Sequence, residues 1–293
     1  DEIILWTFSR ELVKVRIGDW CVSAPTRVVI RRCLWSGGLA RGALRGLLAV
    51  AAACLPATAG EVPEPTRLVD SPTAGLIEKG RFGLNLRLFP RGGVLGQIDA
   101  GVLKRLSIGL SHGGVDVIGD DSIDWYPRVE VAARYRVIEE SEAMPALTVG
   151  YETQGYGVYH NGRYQFKSKG AFAALSKNYT SSIGQFGVHG GVNLSREDVD
   201  DNDLSGWVGA DKSINEELAL VAEYDFALND NDSDSIGSGK GFLNASVYWA
   251  AVPNVSIGLV LKNILKNGAE DDLLGGPDPD MTREISIRYT EEF

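Results

Sequence analysis

The 293-residue chain is poor in the side chains that build metal and redox centres: three cysteines, three histidines and two methionines. Cys21, Cys33 and Cys54 all lie in the first 60 residues. The remainder holds no thiol, which excludes a disulfide framework or a cysteine metal site there. His112, His160 and His189 fall on separate segments without ligand-like spacing, and no HExxH, CxxC or nucleotide-binding loop occurs. The apolar run 46–55 falls well short of the roughly 20 residues that a membrane-crossing helix needs. Positive charge is scarce too. Residues 61–293 carry 21 basic and 35 acidic side chains, so no basic stripe is left to neutralise a nucleic acid.

The first 60 residues differ from the rest, with 8 basic and 4 acidic side chains. Arg27, Arg31, Arg32, Arg41 and Arg45 precede the run 46–55, and Pro56-Ala57-Thr58-Ala59-Gly60 follows it. A positive region, a short apolar region and a small-x-small site describe a cleavable secretory signal, with cleavage after Ala59 or Gly60. A short buried helix and lipoprotein processing at Cys54 are the alternatives. Residues 1–26 read as an upstream extension without a folded role. Residues 61–79, broken by Pro63, Pro65 and Pro72, read as an extended lead.

From residue 80 to the end, alternation with a period of two recurs, the pattern of strands set between two environments. In Arg81–Phe89, Phe82, Leu84, Leu86 and Leu88 oppose Arg81, Asn85 and Arg87. Comparable stretches follow at 96–102, 106–112, 128–137, 146–154, 166–177, 183–194, 205–212, 217–228, 241–250 and 255–264. The last, 284–293, sets Ile285, Ile287, Tyr289 and Phe293 against Glu284, Ser286, Arg288, Thr290 and Glu292, with Glu291 out of place on the apolar side. The connections alternate in length: 103–105, 213–216 and 251–254 are short, while 113–127, 155–165, 195–204, 229–240 and 265–283 are long and polar. The short hairpin 90–95 is the exception on the long side.

Twelve strands of this length with asymmetric turns imply an all-β fold: a closed, antiparallel, up-and-down transmembrane β-barrel over residues 80–293. A soluble β-sandwich or barrel is the rival, since alternation alone fits both and only the direction of the apolar face differs. In the membrane reading, Leu84, Val131, Leu147, Leu220, Val247, Leu259 and Ile287 face lipid. Arg87, Glu130, Arg134, Arg136, Glu152, His189, Glu223, Asp225, Lys262 and Arg288 line the lumen. The mixed signs favour pairing across a partly filled interior over a strongly ion-selective pore. His189 with Asn193 invites comparison with barrel hydrolases, but a lone strand histidine is the weaker case for chemistry, and no catalytic residue, metal site or cofactor is expected. The acidic clusters 198–203, 230–234 and 270–272 read as solvated loops, with divalent-ion bridging to lipopolysaccharide as the alternative.

A terminal strand closing on Phe293 resembles the last strand of bacterial outer-membrane β-barrels. The resemblance implies an outer-membrane location, periplasmic termini with 61–79 as a periplasmic lead, and recognition of Tyr289 and Phe293 by the barrel assembly machinery. It also implies pairing of the last strand with Arg81–Phe89. A shorter likeness covers Asp70-Ser-Pro72-Thr73-Ala74-Gly75-Leu76-Ile77-Glu78-Lys79-Gly80-Arg81-Phe82, which is similar to the opening of YjbH-like exopolysaccharide-associated barrel proteins. Together these imply a channel or export-associated barrel, passing a polysaccharide or a small polar solute. A non-conducting structural barrel comes next and a membrane hydrolase third, with a soluble secreted β-protein as the rival at the level of fold class.

Overall fold

The computed structural model describes residues 65–181, 184–197, 203–231, 236–268 and 280–293, with the backbone of Lys14–Ile17, Trp20–Ser23 and Arg31–Arg32. Those three short segments form one small antiparallel sheet, so part of the stretch expected to have no folded role carries paired backbone. The apolar run 46–55, the cleavage site and most of the acidic clusters lie outside the described residues.

The body is built from twelve strands: β1 (Arg81–Phe89), β2 (Gly93–Leu103), β3 (Leu106–Val115), β4 (Glu130–Ile138), β5 (Ala146–Glu152), β6 (Gly170–Ser181), β7 (Gly184–Leu194), β8 (Ser205–Ser213), β9 (Leu218–Asp225), β10 (Phe242–Val252), β11 (Val255–Lys262) and β12 (Thr282–Glu292). Each pairs antiparallel with the next. β12 then pairs with β1, from Ile285 opposite Leu88 to Glu292 opposite Arg81, which closes the barrel. The expected turn asymmetry is present. One end carries the short turns, such as 104–105, 214–217 and 253–254, and the other the long connections 116–129, 153–169, 195–204, 226–241 and 263–281. The short-turn end also holds the longer link 139–145, where Glu139 pairs with Arg105 and Arg136, and Glu140 with Lys177. On the long-loop side 90–92 stays tight, with Arg91 and Gly92 at positive φ.

The direction of the faces excludes a soluble barrel. The side chains that point outward are Leu84, Ile108, Leu110, Val131, Tyr135, Val188, Leu220, Val247, Trp249 and Leu259, all exposed. The side chains that point inward include Arg87, Glu130, Arg134, Glu152, Glu223 and Lys262, all buried. Water would drive the opposite arrangement. A hydrocarbon surround accepts this one, because closure satisfies every ladder hydrogen bond within the wall. Glu291, out of pattern on the outer side, sits at the short-turn rim, where it accepts hydrogen bonds from Asn254 Nδ2 at 3.2 Å and from the Tyr289 hydroxyl.

The segment 65–79 corrects the expected extended lead. Leu68, Val69, Asp70, Ser71, Thr73 and Ala74 are buried against inward-facing wall residues, so the stretch folds back into the lumen instead of trailing away from it. It leaves beside β2, where Lys79 bridges Gly101 and the Gly80 amide donates to the Gly101 carbonyl at 3.0 Å.

Leu259 is 63% exposed in the middle of β11. An arginine on the lipid face near the bilayer midplane costs about 2–4 kcal/mol. Leu259→Arg should therefore lower the unfolding free energy of vesicle-inserted protein by that amount in urea titrations. An unchanged value would place this face outside lipid.

Candidate functional site

The lumen is filled from both ends. The first filling element is the turn around 66–73. Its arms are tied by the Leu68 amide to the Ser71 carbonyl at 2.9 Å and the Thr73 amide to the Thr66 carbonyl at 3.2 Å. Pro72 has no amide to donate, and the buried tip amides that the turn does not pair internally need an acceptor. Glu223 on β9 supplies it. Its carboxylate accepts from the amides of Val69 at 3.0 Å, Asp70 at 3.0 Å and Ser71 at 2.9 Å, and from Asn244 Nδ2 at 2.8 Å.

Further wall groups hold the same turn. Arg288 Nη2 donates to the Leu68 carbonyl at 3.1 Å, and Trp207 Nε1 to the Pro72 carbonyl at 3.1 Å. Thr148 Oγ1 donates to the Ala74 carbonyl at 2.7 Å. Arg134 donates to the Thr66 carbonyl. Gly209 is required by the fit, since a Cβ there would lie 2.5 Å from Leu68 Cδ1.

The turn also brings two charges. Arg67 pairs with Glu152, which Arg134 Nη2 also contacts at 3.1 Å. Asp70 lies 2.7 Å from Arg87 Nη1 and 2.7 Å from Lys262 Nζ. Glu284 completes the group, pairing with Arg87 and lying 3.7 Å from Lys262.

The second filling element is a hairpin within the 153–169 connection, Tyr156–His160 paired with Arg163–Phe166. It folds inward and joins Phe89, Leu95, Val115, Tyr126, Ala227 and Phe242 in one apolar cluster. Tyr126 donates to the Gly157 carbonyl at 2.7 Å, and Arg163 forms a two-point pair with Asp230 at 2.8 and 3.0 Å. Glu197 accepts from the amides of Tyr164 at 2.9 Å and Ser168 at 2.8 Å. Burial pushes the Glu197 carboxyl up, against the opposing pull of those hydrogen bonds. The two filling elements meet where Arg67 Nη1 donates to the Tyr156 hydroxyl at 2.8 Å. Two of the cavities beside them hold about 10 Å³ each, room for about one water.

Of the ten residues expected in the lumen, Arg87, Glu130, Arg134, Arg136, Glu152, His189, Glu223 and Lys262 are buried inside. Glu130 accepts from Arg128 and from the Tyr164 hydroxyl. Asp225 lies at the long-loop rim, paired with Lys169, and Arg288 reaches the turn. Tyr289 and Phe293 stand at the seam, where both rings contact Phe82 and the Phe293 amide donates to the Gly80 carbonyl at 2.8 Å.

His189 does not pair with Asn193. Its Nδ1 lies 2.7 Å from Ser176 Oγ and its Nε2 2.6 Å from Asp211, and Ser176 Oγ accepts from the Ala74 amide at 2.8 Å. The three groups thus form one hydrogen-bonded line from Ser176 through His189 to Asp211. The order Ser, His, Asp matches that of a hydrolase triad, here set within the ladder that pairs β6 with β7, Ser176 opposite His189. Strand alternation gives no hint of Arg67 and Asp70, because proline spacing masks a folded turn. Their signal in the sequence is the apolar pair Leu68-Val69 set directly between the charges of Arg67 and Asp70.

No protein-family model and no curated protein sequence matches the chain. Solved structures do. A NanC porin matches with a TM-score of 0.41 at 9% identity, over 72% of this chain and 99% of that one. The outer-membrane channel DcaP of Acinetobacter baumannii gives 0.28 at 10%, over 72% and 95%. OmpT, an outer membrane protein of Vibrio cholerae, gives 0.29 at 10%, over 72% and 98%. The closed twelve-stranded barrel itself rests on the strand pairings within this chain.

The Glu223 contacts set a testable threshold. Each hydrogen bond to a charged group contributes about 1.5–3 kcal/mol. Glu223→Ala should therefore raise trypsin cleavage after Arg67 at least ~10-fold while the barrel still migrates as a folded species without boiling. An uncleaved variant would show that the turn is held by other contacts.

Proposed function

We propose that the protein is an outer-membrane channel of small polar solutes, closed at rest by its own residues 65–79. The observation that carries this reading is the chemistry of the closure. The turn meets the wall through hydrogen bonds and ion pairs with Glu223, Arg87, Lys262, Glu152 and Arg288. Water and polar solutes can replace such contacts one by one, whereas an apolar plug would resist both. The short-turn end, where 65–79 enters, faces the periplasm in this proposal, with the long loops outside. The β12–β1 seam at Phe293 is then the element offered to the assembly machinery.

A non-conducting structural barrel is the second reading, favoured by the apolar cluster that seats the hairpin Tyr156–Phe166. A polysaccharide role would rest on the YjbH-like likeness of 70–82, and those residues here line the closure. Planar-bilayer recording decides between the two main readings. The intact protein should show rare, discrete openings. Glu223→Ala removes the acceptor of three turn amides and should multiply their frequency about tenfold or more. Silence in both, with native mobility retained, would leave the structural barrel.

A further inference from the structure

The contacts of Asp70 describe a site that the wall builds and the plug fills. Asp70 is gripped on both oxygens, by Arg87 Nη1 on Oδ1 and Lys262 Nζ on Oδ2, each at 2.7 Å. Both cations belong to the wall, one on β1 and the other on β11, and both are buried. Their wall counter-ion is a single carboxylate, Glu284 on β12. Two positive charges and one negative leave the wall one negative charge short, and burying an unpaired ion is costly. Asp70 makes up the difference from a segment that is not part of the wall.

The surroundings suit a carboxylate. Phe166 lies 3.6 Å below Lys262 Nζ, and Tyr156 lies 4.5 Å from the Arg87 guanidinium carbon, so aromatic faces hold both cations in place. Arg87 Nη2 is buried and has no hydrogen-bond partner among the described residues. Tethered Asp70 takes Nη1 alone, whereas a free carboxylate can seat on Nη1 and Nη2 together. The cavity alongside, about 10 Å³, is lined by Asp70, Tyr156 and Phe166 with the polar groups of Gln154 and Asn244 and the Lys169–Asp225 ion pair.

We infer that Arg87 and Lys262 form a binding site for the carboxylate of a small permeating anion, and that Asp70 occupies it as an internal ligand. A solute carboxylate entering the site displaces Asp70 and frees the turn. Carboxylate-bearing solutes are thereby both the cargo and the signal for opening. This inference rests on the gated-channel reading, and its test separates the two.

Acetate is the probe, with acetamide and sodium chloride at matched concentration as controls. In the intact protein, acetate competes with Asp70 and should speed trypsin cleavage after Arg67 at least ~3-fold. In Asp70→Gly the side chain is gone, so acetate should fill the vacancy, raise the thermal midpoint and slow the same cleavage, and Lys262→Met in that background should abolish the effect. An acetate effect of opposite sign in the two proteins is the signature. Equal responses to acetate and acetamide, or no response in either protein, would overturn the site. The wild-type arm stands even if Asp70→Gly does not fold. Conductance of Asp70→Gly separates the readings: acetate stabilisation in a silent barrel keeps the site and removes the channel, and frequent openings indifferent to acetate keep the channel and remove the site.

Discussion

Charge balance inside the lumen is the constraint on which the rest of this structure depends. A barrel in lipid turns its apolar side chains outward, so its polar and ionised side chains must crowd inward. Inside a filled barrel there is too little water to screen them, and each charge needs a partner within hydrogen-bonding reach. The wall alone does not meet this requirement: Asn244 gives Glu223 a single side-chain donor among the described residues, and the pair Arg87 and Lys262 lacks a second carboxylate. Residues 65–79 supply three backbone amides to the first and Asp70 to the second.

That complementarity explains why a proline-broken segment folds at all. Its tip carries too little apolar surface to pack by itself, with Leu68 and Val69 as the main contribution. The amides of Val69, Asp70 and Ser71 and the charges of Arg67 and Asp70 find their partners on the wall, so the turn and the wall order each other. The hairpin from the opposite end works by a different force. Tyr156, Tyr164 and Phe166 bury apolar rings in one cluster with Tyr126 and Phe242, and the hydroxyls of Tyr164 and Tyr156 meet Glu130 and Arg67. One closure is electrostatic and exchangeable, and the other is apolar and firm, which is why gating is assigned to the first.

The His189 arrangement shows how a chemically suggestive set can serve a mechanical end. Ser176, His189 and Asp211 form a hydrogen-bonded line, yet the serine oxygen is already engaged by the Ala74 amide. The line therefore anchors the exit of the turn to three strands of the wall, β6, β7 and β8.

The strand period, the turn asymmetry and the terminal strand determined the barrel, its strand number and its closing seam, because alternation and turn length are local properties that each strand carries by itself. The same alternation placed Arg87, Glu152, Glu223 and Lys262 on the inner face. It did not say what they touch. The partnership of Asp70 with Arg87 and Lys262 joins positions 17 and 192 residues apart in the chain, and that of Glu223 with the turn spans about 150. Only closure of the barrel brings such residues to one point, because a lumen exists only once the last strand has met the first.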